Sequence, residues 1–362
     1  MKIAIIGTRG IPNNYGGFEQ FAEYLSVGLV DKGHDVFVYN SHNHIFKDNI
    51  YKGVKIIHCF DPEYLIGTSG QFIYDLNCIL NTRKHDFDII LQLGYTSSSI
   101  WNFLFLRKPK IITNMDGIEW KRSKFSGLAK YYLFIAERLC IKFSDAFISD
   151  SIGIQLYLKR TFNISSTYIA YGAEKMELPS LVVLEEYNLK KYKYDIIIAR
   201  LEPENNIEMI LEGFMNSNMD RDLIVIGSLE TSFGKYISKK YNDSRIKYLG
   251  FVSGIDNLNS LRYFSNLYFH GHSVGGTNPS LLEAMASGAL VCAHENIFNQ
   301  SILENDGYYF TDSKNISDLI NNNTKDLDSQ MLKNNYEKIK KLYSWDKIID
   351  KYNSVFHRII NN

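Results

Sequence analysis

Short apolar runs alternate with longer stretches of helical period along the whole chain, and this alternation most restricts what the chain can fold into. The strand-like runs of the first half are KIAII (2–6), VFVY (36–39), VKIIH (54–58), DIILQL (88–93), KIIT (110–113) and AFIS (146–149). Those of the second half are DIIIA (195–199), LIVIG (223–227), IKYLG (246–250), LYFH (267–270) and LVCA (290–293). Between the first two runs, Phe18, Phe21, Ala22, Leu25 and Leu29 fall on one face of a helix. Strands separated by such helices predict parallel sheets covered on both faces. The pattern lapses over Gly172–Leu189 and restarts near Asp195. A chain of 362 residues exceeds one ordinary domain. The expectation is therefore α/β: two doubly wound, Rossmann-like domains over 1–175 and 176–344, with ligands gathered outside the C-terminal strand ends.

Composition removes several function classes. Lys+Arg and Asp+Glu are 40 each, so no global field draws the chain to nucleic acid. Cys59, Cys78, Cys140 and Cys292 are scattered without metal-ligand spacing, which suits free thiols in a reducing cytosol. No charged-then-apolar leader precedes Lys2, and no window holds the ~18 apolar residues of a spanning helix. The expected location is cytoplasmic. Charge is nevertheless uneven: between 107 and 142, Arg107, Lys108, Lys110, Lys121, Arg122, Lys124, Lys130, Arg138 and Lys142 outweigh Asp116, Glu119 and Glu137. With WNFLFL before it, the stretch 101–143 reads either as a surface resting on anionic lipid or as a core helix with a basic face.

Two glycine-rich loops follow strands. GTRGIPNNYGGFE (7–19) leads into a helix beginning near Gly17; the free amides there, with Gly16, Gly17 and Arg9, suit an anion as well as a plain turn. Its spacing is not GxGxxG, and Tyr39-Asn40 rather than an acid ends the second strand, which argues against a dinucleotide dehydrogenase. HGHSVGGTNPSLLEAMASG (270–288) places Gly275, Gly276, Thr277 and Asn278 before Pro279, a residue suited to a first helical turn. Glu283, among Leu282, Ala284 and Met285, is a candidate acceptor for sugar hydroxyls. His270 and His272 at the same strand end either line a cleft or pack in the core, and His42 and His44 lack companion metal ligands.

Those residues carry a resemblance. The strand–loop–helix ending in LLEAMASG resembles the donor-binding element of glycosyltransferase family 4, a group of retaining enzymes of GT-B architecture. ARLEPENN (199–206), YLGFV (248–252) and IAYGAE (169–174) are similar to further segments of that family in the same order. GTRGIPNNYGGFEQF, NMDGIEWKRSKFS and HGHSVGGTNPSLLEAM together resemble bacterial retaining β-1,4-rhamnosyltransferases of polysaccharide biosynthesis. The resemblance implies two facing domains with an interdomain cleft, the C-terminal helix 345–362 packing back on the first. It implies transfer of a sugar, foremost L-rhamnose from dTDP-L-rhamnose, to a polyprenyl-diphosphate-linked acceptor at the inner face of the plasma membrane. It needs no cofactor and no metal.

By the same resemblance Arg200 clamps the diphosphate, Glu283 binds ribose hydroxyls, and Asp116 stands where relatives keep an acceptor-side acid or histidine. Glu119 is the substitute for Asp116, and Asp-Gly is otherwise a common turn pair. Two positions depart from the family pattern. Gly275 stands eight residues before Glu283, where relatives carry a second glutamate, and Asn205 stands where many carry a lysine beside the arginine. The rival readings are another hexosyltransferase of the family, a GT-B sugar-nucleotide epimerase, and an inactive carbohydrate-binding scaffold.

Overall fold

The computed structural model describes residues 1–361 apart from Tyr15, Ser123, Lys124, Ser126, Glu177 and Asp328. The chain divides into two compact units, Met1–Tyr171 with Trp345–Asn362, and Gly172–Ser344. Within the second unit the incoming and outgoing segments run side by side, Ala173 pairing with Ser344 and donating its N–H to the Tyr343 carbonyl at 2.8 Å.

The first unit is built on a sheet of β1 (Lys2–Ile6), β2 (Asp35–Ser41), β3 (Ile50–Tyr51), β4 (Val54–Cys59), β5 (Ile89–Leu93), β6 (Lys110–Met115), β7 (Ala146–Ser149) and β8 (Thr167–Tyr168). Their order across the sheet is β3-β4-β2-β1-β5-β6-β7-β8, parallel except where β3 hairpins onto β4. Chain order reverses between β1 and β5, which makes the gap past their C-terminal ends the switch point of the fold. The two central strands are wholly buried from Ile3 to Ile6 and from Ile89 to Leu93, as continuous apolar runs flanked by helices must be.

The second unit repeats the plan with β9 (Tyr194–Ile198), β10 (Asp222–Ile226), β11 (Ile246–Gly250), β12 (Tyr268–His270), β13 (Val291–His294) and β14 (Tyr308–Phe310), in the order β11-β10-β9-β12-β13-β14. Here the reversal lies between β9 and β12. One face of this sheet closes over Leu211, Phe214, Ile316 and Ile320. At the opposite, N-terminal edge, the fully buried Asp195 carboxylate binds Arg221 at 2.8 Å, the Leu267 N–H at 3.1 Å and the Asn266 amide at 3.2 Å. That cluster ties three strand starts together and leaves the C-terminal edge for other work.

The final helix, Trp345–Asn361, packs on the helix Gly17–Asp31 of its own unit. Trp345 stacks on Tyr24 with ring centres 4.5 Å apart, and Tyr352 packs against Phe21 at 5.3 Å. Lys32 and Asp350 add an exposed ion pair at 2.5 Å. Apolar contact outweighs that pair, because solvent screens it and its side-chain entropy offsets the attraction. Trp345→Ala should therefore lower unfolding free energy by roughly 3–5 kcal/mol and Asp350→Ala by less than about 1 kcal/mol. Denaturant titration checks the ranking, and equal losses would show that the helix is held electrostatically.

Candidate active site

In the first unit the chain leaving β1 lies directly against the chain leaving β5. A Cβ on Gly7 would stand 2.2 Å from the Leu93 carbonyl oxygen, and Gly7 has φ +86, so no other residue fits there. The loop that follows is held by side chains reaching in from elsewhere. Asn40, at the end of β2, accepts from the Ile11 N–H at 3.0 Å and donates to the Ile11 carbonyl at 2.8 Å. It thus serves the loop itself, at the position where a dinucleotide fold would hold a ribose. Glu19 is buried and accepts from the Arg9 N–H at 2.8 Å and the Thr8 hydroxyl at 3.2 Å. Glu19 lies in the first turn of the helix Gly17–Asp31, so a carboxylate from the chain already stands beside Gly16. The Arg9 guanidinium makes a two-pronged pair with Glu63, 2.8 Å on each prong.

Beneath that loop, Tyr74 donates its hydroxyl to the Thr8 and Tyr39 carbonyls at 3.0 and 2.9 Å. Next to it Asp75 accepts from Ser97 at 2.6 Å, and burial pushes its carboxyl up to about 7.

Asp116 follows β6 and is half-buried, its carboxylate over Gly94 at the end of β5. Glu119 is buried and paired with Arg122 at 2.8 Å. The Tyr95 hydroxyl receives the Glu119 N–H at 3.1 Å and donates to the Gly117 carbonyl at 3.3 Å, which fixes the turn carrying both acids. Burial, then the charge of Glu137, holds the Tyr95 phenol in its neutral form. Glu137, itself pushed up by burial, accepts from Tyr157 at 2.9 Å.

The second unit brings its sequence-predicted residues to one edge. Arg200 is exposed just past β9. The 200–206 segment is laced to the segment leaving β12. Asn205 donates to the Arg200 carbonyl at 2.7 Å and meets His272 Nδ1 at 3.0 Å; Asn206 donates to the Gly271 carbonyl at 2.7 Å. Ser273 gives both its N–H and its hydroxyl to the Glu204 carbonyl, at 3.0 and 2.9 Å. A Cβ on Gly271 would lie 1.9 Å from the Asn205 carbonyl oxygen, so the two strand ends touch through backbone. From the β13 side, Asn296 and Asn299 donate to the His272 carbonyl at 3.1 and 3.0 Å.

Gly275, Gly276 and Thr277 are buried in the loop that follows, and Asn278 caps the helix Pro279–Ala286 by accepting the Ser280 N–H at 2.9 Å. Glu283 is held at 2.7 Å by Arg262, whose side chain is buried and also reaches Ser280 at 3.1 Å and Asn259 at 2.7 Å. His270 belongs to the core: it is buried against Tyr268, and burial holds it neutral. Among the described residues no group of His, Cys, Asp or Glu is arranged to hold a metal ion.

Residues 184–342 match the family of glycosyl transferases group 1, and residues 1–174 match a family described as a domain of unknown function, DUF1972. The chain is 24% identical to an uncharacterized glycosyltransferase, MJ1069, of Methanocaldococcus jannaschii, over 100% of this chain and 99% of that protein. Its fold resembles sucrose-phosphate synthase of Thermosynechococcus elongatus, with TM-score 0.83 at 16% identity, covering 99% of both chains. It also resembles Anabaena Alr3699/HepE, solved with UDP and glucose, with TM-score 0.76 at 16% identity, covering 99% of this chain and 100% of that one. The fold is that of GT-B glycosyltransferases, and the second unit carries the match to glycosyl transferases group 1.

The sequence pattern pointed to the residues beside each glycine loop but not to those that hold them. Arg262 sits in a helix with buried Leu261 and Phe264, and a charge on an apolar face was the available signal. Asn40 and Glu19 gave none, since their partners lie in another segment of the chain. Arg262→Met should misplace Glu283, lowering stability by roughly 2–4 kcal/mol and weakening nucleoside-diphosphate binding. Arg262→Lys should not restore either property, because an ammonium lacks the fork that reaches three acceptors. Melting curves with calorimetric binding would test this, and a wild-type-like lysine variant would refute it.

Proposed function

We propose that this glycosyltransferase moves L-rhamnose, with retention, from dTDP-L-rhamnose to a sugar carried on polyprenyl diphosphate, during cell-surface polysaccharide synthesis. The observation that carries the nucleotide-sugar part is the laced β9–β12 edge, with Arg200 beside it and Glu283 oriented by Arg262. A guanidinium suits a leaving diphosphate, and a carboxylate fixed through one oxygen suits a pair of vicinal hydroxyls. HepE with UDP-glucose lends support to a nucleotide-sugar donor. The rhamnosyl part rests on the motifs around Gly16, Asp116 and Gly275.

The bond between the anomeric carbon and the β-phosphate oxygen breaks as the acceptor oxygen bonds to that carbon. The acceptor proton passes to Asp116 or to the departing phosphate, and the nucleoside diphosphate leaves with the electron pair. Charge developing on the leaving oxygens is met by Arg200 and by the amides of the Gly275–Asn278 loop. No metal enters this scheme.

The acceptor's lipid places the enzyme on the inner membrane face, and the first unit has a surface suited to it. No helix among the described residues is long and apolar enough to cross a membrane. Tyr64, Leu65 and Ile66 are more than half exposed, as are Phe103, Leu128 and Tyr131. The segments that bear them adjoin one another: Trp101 donates to the Phe72 carbonyl at 2.9 Å, and Phe72 packs edge-on to Tyr132 at 5.4 Å. Exposed Arg138 lies on the helix that bears Leu128 and Tyr131, and exposed Arg107 and Lys108 follow the turn that bears Phe103. Residues Ser123, Lys124 and Ser126 of the basic stretch lie outside the described set.

A screen of dTDP-rhamnose, UDP-glucose and other nucleotide sugars against lipid-diphosphate acceptors tests the reaction. Transfer of rhamnose, undiminished by a chelator, is expected; product only from another sugar, or strict metal dependence, would overturn the assignment. Arg200→Ala should weaken nucleoside-diphosphate binding by roughly 10–100-fold, and Glu283→Gln should impair donor use. Unchanged kinetics would remove either residue from the site. Vesicles containing anionic lipid should carry the wild type in flotation, and Leu128→Glu with Tyr131→Glu should release it. Equal flotation on neutral vesicles would deny the electrostatic part.

A further inference from the structure

The last helix, Trp345–Asn361, has a polar face opposite the one that packs on the helix Gly17–Asp31. Trp345, Ile348, Ile349, Tyr352 and Phe356 are buried. Lys347, Lys351, Ser354 and Arg358 stand at i, i+4, i+7 and i+11, which aligns them in one stripe along the helix. The stripe forms one wall of a groove of about 490 Å³, and its other wall is Thr167 to Ile169, on the edge strand β8 and just past it. That volume falls within the range of small-molecule sites. Arg358 reaches across the groove to donate to the Thr167 hydroxyl at 2.8 Å. Every lining residue belongs to the first unit.

The cations on this wall are set against the preferences of their own helix. Lys347 lies in the first turn, at the positive end of the helix dipole. Lys347 and Lys351 are one turn apart, a like-charge pair that lowers helix stability. Burial also pushes the Lys351 ammonium down from its ordinary value. An anion seated between the two lysines offsets all three costs. Among the lining residues three cations face one acid, Asp350, whose charge is already shared with Lys32 at 2.5 Å. Local preferences are broken in this way at functional surfaces.

We propose that this groove binds a phosphate-bearing ligand, with its phosphate or diphosphate held between Lys347 and Lys351 and its body lying along β8 toward Arg358. An ammonium offers three N–H donors and acts on phosphate as a compact point charge. Buried Ile169 and Val355, among the lining residues, give the body of the ligand an apolar floor. The site lies wholly in the first unit and does not depend on the nucleotide-sugar reading. The phosphate can come from a soluble metabolite or from a lipid headgroup, and two measurements separate these sources.

Lys347→Gln with Lys351→Gln removes the pair, and Lys239→Gln with Lys314→Gln removes the same charge from exposed positions of the second unit. Inorganic diphosphate is titrated calorimetrically, with Arg200→Ala carried in every protein so that the proposed donor site stays out of the reading. Flotation is measured on vesicles of phosphatidylglycerol in phosphatidylcholine. The groove variant should lose affinity for diphosphate or for these vesicles by roughly tenfold, while the control stays within about twofold of wild type. Loss in the diphosphate arm alone assigns a soluble ligand, and loss in flotation alone assigns a headgroup. The groove variant should melt at or above the wild-type temperature, because repulsion within the helix is relieved. Groove and control variants that behave alike in both arms would overturn the site. A melting temperature several degrees below wild type would assign the lysines to the fold and overturn it equally.

Discussion

At each switch point a glycine lets the chain leaving one central strand touch the chain leaving its neighbour, and the rest of each site hangs on that contact. Gly7 abuts the Leu93 carbonyl in the first unit, and Gly271 abuts the Asn205 carbonyl in the second. A side chain at either position would drive two loops apart by more than a hydrogen bond can stretch. The floor of each crevice is therefore backbone. In the proposed transfer, selectivity falls to side chains beside that floor: Asp116 in one case, Arg200 and Glu283 in the other.

Buried polar side chains are divided between the two ends of the second sheet in a way that separates stability from chemistry. At the strand starts, Asp195 uses its carboxylate on Arg221, Asn266 and the Leu267 N–H, all internal. At the strand ends, Arg262 holds one oxygen of Glu283, which orients that carboxylate through a single atom. A pair of this kind fixes direction without using up the functional group. Such preorganisation is where electrostatic catalysis gains most of its advantage over water.

The strands were legible because apolar runs of strand length leave no other structure able to bury them, and the glycine loops because so many glycines serve no other purpose. Pro279 likewise announced a helix start, and Asn278 caps it. The short strands β3, β8 and β14 escaped notice, since two or three residues carry no period. Asn40, which ended a strand as an unexplained polar residue, proves to hold Ile11 across a separation that no local pattern encodes. The same is true of Arg9 and Glu63, and of Asn205 and His272. Side-chain partnerships between remote segments are set by the sheet order, which the sequence states only indirectly.

That distinction bears on the acid proposed to serve the acceptor. Asp116 and Glu119 are nearly adjacent in sequence, where Glu119 stands as the substitute for Asp116. Glu119 is buried, paired with Arg122 at 2.8 Å, and set in a turn whose N–H and carbonyl both meet the Tyr95 hydroxyl. Its carboxylate is thus engaged by a largely buried guanidinium. Asp116 is half-buried beside Gly94, at the strand-end edge where the switch point opens. The surroundings thus favour Asp116 as the proton acceptor in the proposed transfer, and give Glu119 the task of holding the turn that presents it.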